Sequence, residues 1–287
     1  MNFSSSMVLI TGAGRGLGLA YARLLGQLGA TVLIQDNGAA SDGESVDPQV
    51  AEDAAATLRS EGLTVRAIAG DISTREGCYA LFNRAEALAG QVNTLIHSAG
   101  WVAYQPVEAI GDAAFDRMMT IAAKAPLWLA QAAWPGMKAA GYGRIVVTTS
   151  CRALYPQYVQ HGLTAYAASR MAVVGIMHVL AAEGAESGIV VNAVSPVAKT
   201  RMWGVDGEPG DLRPADVAPG VAFLASPACR EGGWILRAAN GQFHATRAAE
   251  ASGVHYPYDL RAVHATTPDA VAANWAQIAV HHPEPRG

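Results

Sequence analysis

The sequence predicts an α/β protein built on a doubly wound, seven-stranded parallel sheet, carried in a single domain over 1–287. Three observations predict it. Short β-branched or aliphatic runs alternate with alanine-rich stretches of helical length, the rhythm of parallel strands covered by helices on both faces. A glycine-rich turn follows the first of those runs. The 287 residues are 51% hydrophobic and only 15% charged, which suits one large buried core.

In chain order, the first strand is read at Val8–Thr11, and the glycine turn opens a helix over Gly16–Leu28. A strand at Thr31–Gln35 follows. The Gly-, Ser- and Asp-rich stretch Asn37 to Asp47 is a loop, because the helical pattern resumes at once at Pro48–Ser60. Next come a strand at Thr64–Ala69, a helix at Arg75–Ala89 and a strand at Thr94–His97. A long helix is expected over Asp112–Ala139, then a strand at Arg144–Thr149, a helix at Thr164–Gly184 and a strand at Ile189–Val194. The segment Arg201 to Pro214 holds three Gly and two Pro, composition that suits a mobile substrate lid after the sixth strand, so 201–214 is read as a lid. A helix at Pro214–Leu224 and a strand at Trp234–Arg237 complete the pattern, and 238–287 reads as a C-terminal extension with no clear repeat before Thr267. Right-handed crossovers fix the topology of such a series.

Composition also excludes functions. A net charge of -4 and sparse charge argue against a nucleic-acid surface and against a solvated disordered chain. The longest apolar run, Met171 to Ala182, is short of the roughly 18 residues of a membrane span and is interrupted by Gly175 and His178. Met1 to Ser6 has neither a basic start nor an apolar signal core, so a cytoplasmic chain is expected. Cys78, Cys151 and Cys229 are odd in number and widely separated, which predicts reduced thiols and no zinc site. His244, His255, His264, His281 and His282 are scattered, and no metal is expected.

Chemistry concentrates in two places. Thr11-Gly-Ala-Gly-Arg-Gly-Leu-Gly18 lies between a strand and a helix, with Asp36 closing the next strand. Glycines at 12, 16 and 18 let the backbone approach a pyrophosphate, and the helix amino terminus adds unpaired N–H groups and a positive dipole. That is the dinucleotide cradle of a Rossmann fold, with Arg15 and Leu17 in its loop. Asp36 stands where a carboxylate accepts from an adenosine ribose and repels a 2′-phosphate, so NAD is the expected cofactor, although Arg15 beside it is a residue that pairs phosphate. The second place is Ser150, at the end of the fifth strand, with Tyr166 and Arg170 four residues apart on one helix face. A phenol exchanges protons at neutral pH only beside a cation and a donor that holds the substrate oxygen. Arg170 and Ser150 are cast in those roles.

These pieces resemble the short-chain dehydrogenase/reductase family over nearly the whole chain. The matching segments are Gly12–Gly18, Gly70-Asp71-Ile72, Ala99-Gly100, Ser150, Tyr166-x-x-x-Arg170 and Asn192-Ala-Val-Ser-Pro196 with Thr200. The resemblance implies that Asp71 and Ile72 meet the adenine, that Ala99 and Gly100 flank the cofactor, and that Pro196 to Thr200 hold the nicotinamide carboxamide. Asp36-Asn-Gly, Ala132-Ala-Trp134, Gly141-Tyr-Gly-Arg-Ile145, Thr200-Arg-Met202 and the tail Thr267 to Trp275 are most similar to the 3R-hydroxyacyl-CoA dehydrogenase domain of peroxisomal multifunctional enzymes and its bacterial relatives.

The sequence also departs from that family. Its usual lysine is Arg170, which keeps the charge but gives up no proton at working pH. The mid-helix asparagine of the proton relay falls at Ala122. The Asn-Asn-Ala-Gly turn reads His97-Ser-Ala-Gly100, with His97 taken as a satisfied strand-end residue. The interval from Ser150 to Tyr166 is longer than typical, and the loop Arg152–Leu163 is expected to line the pocket.

The expected activity is hydride transfer between a secondary alcohol or ketone and NAD, with a 3-hydroxyacyl-CoA or a bulky apolar alcohol as substrate. Arg170 and Ala122 motivate an alternative, a cofactor-binding protein doing elimination or isomerisation, or a non-catalytic subunit. The partners expected are a small-molecule substrate and further copies of the chain, as a homodimer or homotetramer. The helix Ala113–Ala139, apolar on nearly every face through Ile121, Leu127, Trp128, Leu129 and Trp134, would pack with the Tyr166 helix in that assembly.

Overall fold

A computed structural model describes residues 1–40, 43–205, 207–250, 254–260 and 262–279. It groups them into a unit of Met1–Arg247 and a smaller one of Ala248–Gly287.

In the first unit, β1 (Met7–Thr11), β2 (Thr31–Gln35), β3 (Val65–Ala67), β4 (Thr94–His97), β5 (Gly143–Thr148), β6 (Ile189–Val197) and β7 (Ile235–Ala239) pair in parallel. An eighth strand, β8 (Gln242–Thr246), is antiparallel to β7, and the order is β3-β2-β1-β4-β5-β6-β7-β8. Successive residues go to opposite faces: Val8, Ile10, Val32 and Ile34 pack into one core, Leu9 and Leu33 into the other. Burial on both faces explains why the strands read as continuous apolar runs.

The first face is covered by α1 (Gly16–Gln27), α2 (Gln49–Ser60) and α8 (Ala218–Leu224), through Tyr21, Leu25, Leu58 and Val221. The other is covered by α3 (Arg75–Ala89), α5 (Ala125–Ala140) and α7 (Thr164–Gly184), through Leu81, Leu129, Met137, Val173 and Met177. With its closing turn, the helical stretch 164–187 is long and apolar enough to cross a membrane, more than the sequence reading allowed. Its inner face is part of the core, including the polar Ser169 and Arg170.

Three expectations need correction. Seven parallel strands become eight in a mixed sheet, because Asn240 (φ 51°) and Gly241 (φ 75°) both take positive φ and form a two-residue hairpin between Ala239 and Gln242. Ala238 to Arg247 therefore belong to the main unit and not to an extension. The long helix Asp112–Ala139 is interrupted: α4 (Asp112–Met119) and α5 are joined by a π turn at Thr120–Lys124. There the Ala125 N–H donates to the Thr120 carbonyl, one residue farther than in an α-helix, and the Ile121 carbonyl meets Pro126, which has no N–H to give. A short helix, α6 (Cys151–Leu154), and a 3-10 turn at Pro156–Tyr158 take up the long interval after Ser150.

Among the described residues the segment 201–214 carries a 3-10 turn, Arg201–Trp203, a second, Pro214–Asp216, begins at its end, and Lys199 pairs with Asp211. In the second unit, α9 (Pro268–Ala273) is capped by the Thr267 hydroxyl accepting from Ala270 N at 3.1 Å, and α10 (Trp275–Ile278) follows. His281 and His282 lie outside the described residues.

Candidate active site

The strand order reverses between β1 and β4, and a cavity of about 940 Å³ opens at their carboxyl ends. Its floor is the glycine turn between β1 and α1. Gly12 has φ +65°, and a Cβ there would stand 2.5 Å from Ala99 Cα; one on Gly18 would stand 2.2 Å from the Gly12 carbonyl oxygen. Backbone therefore meets backbone at the turn. The first turn of α1 has no side-chain cap and no acidic residue, which leaves its N–H groups free for an anion.

The loop acids shape this cavity. Asp36 accepts from Gly14 N at 2.9 Å with one carboxylate oxygen and from Gly38 N at 2.8 Å with the other. Asp71 accepts from Ser73 N at 2.8 Å and from the Ser73 hydroxyl at 2.7 Å, while the Gln35 amide donates to the Gly70 carbonyl at 2.8 Å. Arg15, exposed at the amino end of α1, lines the same cavity as Asp36. So do Gly12, Gly16, Leu17, Gly18, Asp71, Ile72, Ala99, Gly100 and Thr200.

A second cavity, about 390 Å³, lies over the ends of β5 and β6 and is walled by Ser150, Tyr166, Arg170 and Pro196. The two cavities share Leu17, Ser98, Gly100, Trp101, Thr200 and Met202, so one groove runs from the glycine turn to Tyr166. Each residue assigned to catalysis or to the cofactor from the sequence lines one cavity or the other: Ser150, Tyr166, Arg170 and Pro196 the second, the rest the first.

Arg170 is buried under this junction, 4% exposed. Its Nη1 donates to the Thr148 carbonyl at 2.8 Å, its Cζ stands 5.2 Å from the Tyr166 ring centroid, and its backbone carbonyl accepts from the Thr149 hydroxyl at 2.8 Å. Nε has no protein partner. A Cβ on Gly100 would lie 2.4 Å from Arg170 Nη2, which explains a glycine there. Ser150 caps α6, its hydroxyl accepting from Arg152 N at 3.2 Å. Among the described residues the Tyr166 hydroxyl bonds to no protein group, which leaves it free for a ligand in the cavity it lines.

His97 is a satisfied strand-end residue, as expected. It is fully buried, and its Nδ1 is 2.8 Å from the Thr11 hydroxyl. Its Nε2 is 2.9 Å from the Ile121 carbonyl, the one that Pro126 leaves without a helical donor. Burial, and after it the Arg170 charge, push the imidazole down to about 3, so the ring is neutral, donating from Nε2 and accepting at Nδ1 from Thr11. Ala122 is buried in the same π turn and brings no polar group.

Sequence reasoning placed the loop after Ser150 on the pocket wall, and Arg152, Gln157, Tyr158, Val159 and Gln160 stand there. Met202 and Trp203, from the segment 201–214, stand there too; Trp101 was missed, and Arg152, though within the expected loop, was given no role of its own. The signal available was a cation two residues after Ser150.

A family model described as short chain dehydrogenase matches residues 6–208. The chain is 29% identical over 276 residues to the short-chain type dehydrogenase/reductase Rv0148 of Mycobacterium tuberculosis, covering 95% of this chain and 93% of the relative. It is 29% identical over 281 residues to peroxisomal multifunctional enzyme A of Dictyostelium discoideum, spanning 97% of this chain but 61% of that longer protein. A crystal structure of a short chain dehydrogenase from Mycobacterium avium aligns with a TM-score of 0.80 and 25% identity over 97% of both chains.

Proposed function

This chain belongs to the short-chain dehydrogenase family, and from that premise we propose that it is an NAD-dependent oxidoreductase acting on a secondary alcohol or its ketone. The observation that carries the reading is the single groove in which the glycine turn and the Tyr166 wall meet at Leu17, Gly100 and Thr200. The cleft suits a dinucleotide: its turn admits no Cβ at Gly12 or Gly18, and the uncapped amino end of α1 offers donors to a pyrophosphate. When bound, a nicotinamide supplies the hydride acceptor or donor.

The chain's own groups do the rest. Tyr166 exchanges the alcohol proton, Ser150 holds the oxygen, and Arg170 keeps a fixed positive charge against the Tyr166 ring. Asp36 sets the preference for NAD, because a 2′-phosphate beside its carboxylate is repelled while exposed Arg15 turns to solvent. The multifunctional-enzyme resemblance puts 3-hydroxyacyl thioesters among the substrates to be tried, beside bulky apolar alcohols. A homodimer or homotetramer packs through α7, where Met171 and Val179 are exposed, and the half-buried Leu127, Trp128 and Trp134 of α5.

A second reading, non-redox chemistry or a non-catalytic subunit, draws on Arg170 and Ala122. Absorbance at the reduced-cofactor band, across secondary alcohols, ketones and 3-hydroxyacyl thioesters with NAD and NADP, separates the two. Redox turnover with NAD, favoured over NADP by about tenfold or more in kcat/KM, is expected. Cofactor binding without turnover of any member favours the second reading.

A further inference from the structure

The pocket over Ser150 and Tyr166 carries a cation that no acid among the described residues neutralises. Arg152 sits half-buried in α6 on the pocket wall. Its Nη1 donates to the Tyr104 hydroxyl at 3.0 Å, and that hydroxyl donates to Gln160 Oε1 at 2.7 Å. Its Cζ stands 5.8 Å from the Trp203 ring centroid. The ion pairs among the described residues leave Arg152 out, and no Asp or Glu lines the pocket. Arg170, the other cation on this wall, is buried, with one donor on the Thr148 carbonyl and its fork against the Tyr166 ring, whereas Arg152 is half-buried in α6 on the wall itself.

A guanidinium presents five N–H donors in a planar fork, and one of them satisfies Tyr104. Partial burial without a counter-charge is unfavourable, and a carboxylate restores the balance with two parallel hydrogen bonds. Tyr104 and Trp203 touch the fork from two sides and orient it along the pocket wall. Reach and volume narrow the ligand further. Arg152 stands two positions after Ser150, which keeps their Cα atoms within about 7 Å. The cavity of about 390 Å³ is near the small end of the usual range for small-molecule sites, roughly 300 to 1,000 Å³.

We propose that the substrate carries a carboxylate, held by Arg152, on a compact apolar frame whose carbinol or carbonyl carbon faces Ser150 and Tyr166. The proposal rests on the oxidoreductase reading above and narrows it. The phosphates of a coenzyme A thioester lie beyond the whole pantetheine arm from the reacting carbon, too far to serve as the anion in a pocket of this size.

Calorimetric titration of the NAD-loaded protein with cyclohexanecarboxylate and with its neutral isostere cyclohexanecarboxamide tests the site without turnover. The acid is expected to bind at least about tenfold more tightly. Arg152→Gln should erase the difference and Arg152→Lys should restore part of it. In turnover, 3-hydroxycyclohexanecarboxylate should exceed its amide in kcat/KM, through KM, and the Gln variant should lose that ratio. Equal binding of acid and amide by the unmodified protein overturns the proposal, a comparison that needs no variant to fold. Displacement of the acid by free coenzyme A also overturns it, by assigning Arg152 to a phosphate. If no alcohol is oxidised while Arg152-dependent binding of the acid remains, the redox reading fails and the carboxylate site stands.

Discussion

At the carboxyl ends of β1 to β4, polar side chains turn back on their own chain: Asp36 onto Gly14 and Gly38, Asp71 onto Ser73, Gln35 onto Gly70. Across the groove, beyond β5 and β6, side chains are held ready for something else. The Tyr166 hydroxyl has no protein partner among the described residues, Arg170 Nε is unpaired, and Arg152 uses one donor on Tyr104. The cofactor side is thus a shaped backbone, in which selection acts on which Cβ atoms must be missing. The pocket side is a set of side chains on α6, α7 and a loop, where what matters is which functional group is present. Substitutions should follow that division: steric changes damage the first region, and chemical changes that preserve shape damage the second.

The sharpest test is Tyr166→Phe, which keeps the ring and removes the hydroxyl. Turnover should fall by about 10³-fold, within the usual range for a lost general acid–base group, while the dissociation constant for NAD moves by less than about threefold. Wild-type turnover would instead direct attention to Tyr155 or Tyr158. Gly18→Ala is the converse, since its new methyl would stand 2.2 Å from the Gly12 carbonyl oxygen. We expect a loss of about 2–3 kcal/mol in denaturant unfolding and a large loss of NAD affinity by fluorescence titration. A fully stable, NAD-binding variant would break the comparison.

Arg170 lies between the regions, and its replacements separate charge from shape. Arg170→Lys should retain activity, whereas Arg170→Met should lose about 10- to 100-fold in kcat and weaken the cofactor complex, both read by steady-state kinetics. The smallest effect is expected at His97. Its folded-state value is pushed down to about 3 from an ordinary 6.5, so below about pH 6.5 the unfolded chain takes a proton that the folded one refuses. Stability is unaffected above that range and falls as pH drops toward 3. Relative to His97→Asn, the wild type should lose about 1 kcal/mol between pH 7.5 and 5.5 in chemical denaturation. A pH-independent difference would show that the imidazole is not held neutral.

The same division explains what the sequence made legible. Glycine spacing, the acid closing β2 and the alternation of apolar runs are local signals, and they located the sheet, the cleft and the residues lining it. The hairpin at Asn240-Gly241 was equally local, being the dipeptide that favours two positive φ values, but the exposed strand after it lacks the apolar run used to recognise the others. The π turn had a signal in Pro126, which falls in the middle of the expected helix Asp112–Ala139 and cannot continue its ladder, but only the shifted Ala125 hydrogen bond shows what form the interruption takes. Arg152 was hidden for a different reason. Its partners Tyr104 and Trp203 lie 48 and 51 positions away, and no spacing rule brings them together.

The π turn also bears on how this stretch of chain tolerates changes in length. Loops absorb gained or lost residues, whereas α4 and α5 are coupled through five residues that already hold one more than an α-helical path requires. Deleting one residue between Thr120 and Lys124 would return the ladder to α-helical spacing and leave α4 and α5 on nearly their present faces, because the bulge already absorbs the extra residue. Met118, 2% exposed, would stay in the core, and the Ile121 carbonyl, now four residues before Pro126, would still find no helical donor and would remain with His97. In this rod a one-codon deletion at the bulge is absorbed, where the same deletion elsewhere in either helix would be read as a rotation.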